Sequence, residues 1–276
     1  MRLIFLALFS LNIFAQDLTW DRENSCPVGD MAFVEKVLSE MTVEEKVGQT
    51  IMADLDFIKP VDLRRYPIGG ILNGGNTSPN GNQQASTDEW KSLAQDFYEE
   101  SIKAGSNIPI LWGTDAVHGH SNVLGATIFP HNIGLGASAN EQLLEAIGAA
   151  VAEEVLATGL YWTFAPTVTV PQDYRWGRTY EGYSESPELV SKLGESFIYG
   201  LQGKGDEFLK SNKIIGTAKH FLGDGGTYLG VDQGDTKVDE KTLQDIHGTP
   251  YYSALDACIQ TVMASFNSWN GSKVHG

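Results

Sequence analysis

Ile108-Pro-Ile-Leu-Trp112-Gly-Thr-Asp115 holds an apolar run, 108–112, too short for a helix and ending near a carboxylate. Helical patterns flank it. Residues 87–104 place Trp90, Leu93, Ala94 and Phe97 on one stripe, and residues 141–157 form a second helical segment. The same unit recurs in both directions. Short apolar runs stand at 49–53, 67–72, 160–165, 214–218 and 261–266, with helical segments at 187–201 and 239–257. Ahead of them, 31–41 reads as a helix and Thr42-Val-Glu-Glu45 as a capping box opening the next one. A Gly/Asn/Ser/Pro-rich loop follows the second run through Asn82.

Buried strands alternating with amphipathic helices imply right-handed crossovers on a parallel sheet. No Gly-x-Gly-x-x-Gly follows the first strand, and Gly134-Leu-Gly136 lacks a third glycine, which disfavours a dinucleotide-binding fold. The expected fold is α/β, a TIM-type (β/α) barrel that is incomplete, with about six of its eight β/α units present. The sequence stops at Lys273-Val-His-Gly276 without a terminal helix and reads as cut off.

Of the 276 residues, 42% are hydrophobic and 20% charged, which excludes a disordered chain. The balance of 19 Lys+Arg against 35 Asp+Glu leaves a net charge of −16, so nucleic acid is not an expected partner. The two cysteines, Cys26 and Cys258, are too few for a disulfide scaffold or a four-thiolate zinc site; whether they pair is left open. Arg2, the apolar run 3–9 and the small Ala15 read as a secretory signal peptide, residues 1–15, with 16–276 as the barrel domain. The expected location is therefore periplasmic or extracellular. No stable membrane insertion is expected, because no later run reaches ~20 apolar residues.

In parallel barrels, functional groups gather at the C-terminal ends of the strands. That rule selects Asp115, Arg175 and Arg178, Lys219 and His220, and the segment Asn267-Ser-Trp269. Each has a structural alternative: Asp115 as a cap or ion-pair partner, Arg178 paired with Glu181, Lys219 extended to solvent. Together, a carboxylate with Arg, Lys and His around one concavity suits a neutral polyhydroxylated ligand. Trp112, Trp176, Phe266 and Trp269 are candidates to wall the pocket. A rival metal site would draw on Asp115, His118, His120 and His131, but their spacing matches no established ligand pattern. No metal or other cofactor is expected. No Gly-x-Ser-x-Gly elbow is present either.

The same segments resemble glycoside hydrolase family 3. The motifs are Gly113-Thr-Asp-Ala-Val-His-Gly-His120, Gly125-Ala-Thr-Ile-Phe-Pro-His-Asn-Ile-Gly-Leu-Gly136, Arg175-Trp-Gly-Arg-Thr-Tyr-Glu181, Ala218-Lys-His-Phe-Leu-Gly-Asp-Gly-Gly-Thr227 and Val262-Met-Ala-Ser-Phe-Asn-Ser-Trp-Asn-Gly271. They occur in the family's order and spacing from about Thr42 onward and most resemble the β-glucosidase and glucan exohydrolase branch. The resemblance implies retaining hydrolysis of terminal β-glucosyl residues, with a β-glucoside or oligosaccharide as substrate. Asp115, Arg178, Lys219 and His220 would contact the sugar, the last three as donors. Phe266 stands where plant-like members often carry tyrosine. The family's nucleophile belongs to a Ser-Asp-Trp-like motif expected beyond Gly276, and the acid/base to a second domain, so this chain alone is expected to be inactive. A non-catalytic sugar-binding module is the alternative. The β-N-acetylhexosaminidase branch is disfavoured, since Gly223-Asp-Gly-Gly-Thr227 lacks the histidine that branch uses; Asp224, flanked by glycines, reads as loop geometry.

Overall fold

The computed structural model describes residues 26–27, 29–104 and 108–275, and the expected signal peptide lies outside them. In chain order the elements are α1 (Met31–Glu40), α2 (Val43–Gln49), β1 (Met52–Asp54), β2 (Gly70–Asn73), α3 (Thr87–Ile102), β3 (Leu111–Thr114), α4 (Asn132–Ser138), α5 (Glu141–Ala157) and β4 (Trp162–Thr163). They continue with α6 (Pro187–Gln202), β5 (Thr217–Phe221), β6 (Asp235–Thr236), α7 (Glu240–Thr242), α8 (Thr249–Asp256), β7 (Thr261–Ala264), β8 (Ser268–Trp269) and β9 (Ser272–Lys273).

Local chemistry sets the helix starts. The Thr42 hydroxyl accepts from Glu45 N–H while the Glu45 carboxylate accepts from Thr42 N–H, the capping box expected for α2. Ser86 and Glu89 repeat the device at α3. In α5, Leu144, Ile147, Val151 and Val155 recur at helical spacing and are buried. The helix expected at 239–257 is instead α7, a wider π-type turn at Leu243–Gly248, and α8. Pro250 lacks an N–H and cannot extend a regular ladder into the preceding turn.

β1 to β4 pair in sequence order, all parallel, with Gly70 opposite Leu111 and Thr114 opposite Thr163. Parallel bridges Trp162–Ile215 and Thr167–Lys219 carry the arrangement to β5, which pairs in parallel with β7. These are the six strands expected from the apolar runs. β3 begins at Leu111 rather than Ile108, and β5 at Thr217 rather than Ile214. The leading residues are apolar for another reason: Ile110 and Ile214 pack into the core on the approach to the strand. Among the described residues β1 and β7 do not pair with each other, so the barrel is not closed. A small sheet ordered β6-β8-β9, two residues per strand, stands apart from it and was below the reach of periodicity.

Helices α5 and α6 cover the sheet back to back. A Cβ at Gly200 would lie 2.2 Å from the Glu145 carbonyl oxygen, and one at Gly148 would lie 2.4 Å from that of Phe197. Only glycine allows this backbone approach. Cys26 and Cys258 form a disulfide with Cα atoms 5.5 Å apart, joining the start of the described chain to the turn after α8. The peptide bonds Ala165–Pro166, Lys219–His220 and Phe221–Leu222 are cis. Among the described residues no helix is long and apolar enough to cross a membrane.

Candidate active site

A cavity of about 400 Å³ opens at the C-terminal ends of the parallel strands. Leu72 reaches it from β2, Asp115 from just beyond β3, Phe164 from just beyond β4, Lys219 and His220 from β5, and Met263 from β7. Arg178, Tyr180 and Glu181 enter from the loop that follows β4. All four residues expected to contact a ligand, Asp115, Arg178, Lys219 and His220, therefore line one space.

Two charged groupings organise it. Lys219 Nζ donates to Asp115 Oδ1 at 2.7 Å, with the lysine side chain 5% exposed and the aspartate 36%. The lysine is thus committed to the cavity rather than to solvent. In the second, Arg178 grips Glu181 through two bonds, Nε to Oε1 at 2.7 Å and Nη2 to Oε2 at 2.8 Å. The hydrogen bonds to Glu181 are the main cause that raises the guanidinium pKa. Arg178 Nη2 also stands 3.1 Å from His220 Nε2. Arginine carries only donors, so His220 Nε2 accepts in that contact.

Lys219 and His220 are consecutive, and in a regular strand they would face opposite sides. The register against β7 shifts between Lys219 and Phe221, and this irregularity aims both side chains into the cavity. On the far side, His220 Nδ1 lies 2.9 Å from Asp224 Oδ2, while Asp224 Oδ1 accepts from Thr169 Oγ1 at 2.6 Å and from Gly225 N–H at 2.9 Å. Asp224 does shape its loop, as expected, and it also touches a cavity residue.

The other segments fare differently. Arg175 binds Asp173, is 64% exposed on its side chain and does not line the cavity. Asn267 is buried and donates to Leu222 O and Thr236 Oγ1 as a loop brace. None of the four expected aromatics lines the space. Trp112, Trp176 and Trp269 turn their indole N–H groups to Asn73, Asp232 and the Val238 carbonyl, and Phe266 is exposed beside His275. The aromatic wall consists of Phe164, Tyr180, His118 and His131. His131 stands 4.2 Å from His118 and 4.6 Å from Tyr180 between ring centroids. Gly113 makes the wall possible, since a Cβ there would lie 2.4 Å from two atoms of the Phe164 ring.

The rival metal set does not assemble. His120 is fully buried beside Trp90, with Nε2 3.0 Å from Thr158 Oγ1, and burial pushes its pKa down to about 4. Among the described residues no group of three or more His, Cys, Asp or Glu side chains is placed to hold a metal ion. What remains suits hydroxyl recognition. Asp115 Oδ2 and Arg178 Nη1 make no hydrogen bond among the described residues, so a carboxylate acceptor and charged donors flank an apolar wall.

Residues 42–276 match the model of the Glycosyl hydrolase family 3 N terminal domain. The chain is 31% identical to the periplasmic beta-glucosidase of Salmonella typhimurium, over 87% of this chain and 30% of that protein. It is 27% identical to the lysosomal beta glucosidase of Dictyostelium discoideum, over 88% and 32%. Among solved structures, the exo-1,3/1,4-beta-glucanase of a Pseudoalteromonas species superposes with a TM-score of 0.88 at 50% identity, over 91% of this chain and 32% of that one. The chain thus spans about a third of the length of these relatives. With the domain model matched along nearly all of the described residues, and the parallel strands converging on one polar cavity, the chain belongs to glycosyl hydrolase family 3.

Proposed function

We propose that this chain, as the barrel domain of residues 16–276, supplies the sugar-holding half of an exo-acting β-glucosidase. The complete enzyme removes terminal non-reducing β-D-glucosyl residues from β-glucosides or oligosaccharides. The observation that carries the reading is the meeting of Asp115–Lys219 and Glu181–Arg178–His220 in one cavity with an apolar wall. Asp115 accepts from sugar hydroxyls, Lys219 and Arg178 donate to them, and His220 lines the same cavity and accepts from Arg178. The apolar faces of Phe164 and Met263 suit the C–H face of a pyranose.

Retaining hydrolysis needs a nucleophilic carboxylate and an acid/base carboxyl about 5–5.5 Å apart. The nucleophile attacks the anomeric carbon as the acid protonates the departing oxygen, and water then cleaves the glycosyl ester. Asp115 and Glu181 are poor choices for either role because each is tied to a cation in the resting site. The nucleophile is assigned to residues beyond Gly276 and the acid/base to a second domain, as the family resemblance implies. No cofactor enters these steps. Export fits a Cys26–Cys258 disulfide, which persists in oxidising compartments, and the periplasmic relative.

The test is hydrolysis of a chromogenic β-glucoside by this chain and by the longer gene product. Turnover by the longer protein alone is expected. Turnover by this chain would return Asp115 and Glu181 to the role of nucleophile. Glucose binding by the longer protein without turnover would favour a sugar-binding module.

A further inference from the structure

The proton on His220 can be located from its partners. A proton on Nε2 would point at an Arg178 N–H 3.1 Å away, donor against donor. The neutral ring therefore carries its proton on Nδ1 and donates it to Asp224 Oδ2 at 2.9 Å. Asp224 is itself fixed: it is 7% exposed, and its other oxygen accepts from Thr169 Oγ1 and Gly225 N–H. His247, on the π-type turn packed against Gly226, does not compete as a cation, because burial pushes its pKa down to about 4.

We propose that Asp224 is a positioning residue of the cavity: by accepting the Nδ1 proton it holds His220 in the tautomer whose Nε2 accepts from Arg178. The guanidinium is then clamped from both sides, by Glu181 and by His220, with its Nη1 donors left for a ligand hydroxyl. This deepens the sugar-site reading, on which its consequence for binding rests; the tautomer itself does not depend on that reading.

The chain labelled with 15N-histidine tests this by long-range 1H–15N NMR, with the His220 signals identified by their loss in His220→Gln. Neutral His220 is expected as the Nδ1–H tautomer. In Asp224→Asn, the amide oxygen keeps the Thr169 and Gly225 bonds while the amide N–H faces Nδ1, which drives the proton to Nε2. Glucose affinity is expected to fall about tenfold as the Arg178 clamp loosens. An Nε2–H tautomer in the unsubstituted protein would overturn the proposal, even if Asp224→Asn does not fold. So would an Asp224→Asn protein that keeps Nδ1–H. A tautomer that switches as expected, with no glucose bound by either protein, supports the Asp224 assignment and counts against the sugar reading.

Discussion

Asp115 and Lys219, 104 residues apart in sequence, meet at 2.7 Å inside the cavity, and they do not share the meeting equally. The lysine side chain is 5% exposed and the aspartate 36%. Removing the aspartate's charge strands a buried ammonium, whereas removing the lysine leaves a carboxylate that water can reach. Asp115→Asn is therefore expected to cost about 2 kcal/mol of stability and Lys219→Met less than about 1 kcal/mol. Both should abolish measurable glucose binding. Urea denaturation with parallel calorimetric titration checks the pair, and a larger stability loss in Lys219→Met would reverse the argument.

The two buried histidines make the fold sensitive to mild acid. Burial lowers the pKa of both His120 and His247 to about 4, from an unfolded value near 6.5. Between those values the unfolded chain binds more protons than the folded one, so stability rises with pH there and is lost as pH falls from 6.5 toward 4. By pH 5 each histidine should have removed about 2 kcal/mol. Urea midpoints measured from pH 7.5 to 4.5 should fall across that window, and His120→Gln should flatten the slope. A profile level down to pH 5 would mean that neither imidazole is desolvated as found.

The strands and four of the polar residues of the cavity were legible in the sequence for local reasons. Each apolar run is flanked by helical periodicity, and Thr42 with Glu45 announces a helix start within four residues. The strand-end rule then places Asp115, Arg178, Lys219 and His220 together without knowledge of any contact. What stayed hidden depends on direction. Nothing in the order Lys219-His220-Phe221 shows the register shift that turns two neighbours into one cavity. Nor can composition say which way an indole points: Trp112, Trp176 and Trp269 each follow a distant hydrogen-bond acceptor, while the wall fell to Phe164 and Tyr180. Asp224, framed by glycines, carried a local signal for a turn and none for its bond to His220.

The absence of a side chain at Gly113 sets the position of Phe164. A methyl group there would lie 2.4 Å from the ring and 3.0 Å from Trp162 Cε3, and both rings are buried. Gly113→Ala should force Phe164 into the cavity, costing about 1–3 kcal/mol by overpacking and weakening glucose binding. Gly113→Ala combined with Phe164→Leu should recover part of the stability, because the smaller side chain relieves the clash. Equal and additive losses from the two substitutions would show that the ring and the methyl never compete.

The disulfide offers the last test, and it bears on both the fold and the compartment. Cys26 and Cys258 are separated by 232 residues, so their bond restrains nearly the whole unfolded chain. In the chain-entropy account a loop of that length is worth about 5 kcal/mol, and measured losses for native disulfides run at about 2–5 kcal/mol. Reduction, or the double substitution Cys26→Ser with Cys258→Ser, should therefore lower the urea midpoint well beyond the effect of either cavity substitution. The unpaired edge that β7 has among the described residues sharpens the expectation, because α8 and its following turn lead directly into that strand and are held by this bond. Thiol titration of the unfolded, unreduced protein should find no free thiol. Two titratable thiols in protein recovered from an oxidising compartment would remove both the restraint and the support it lends to export.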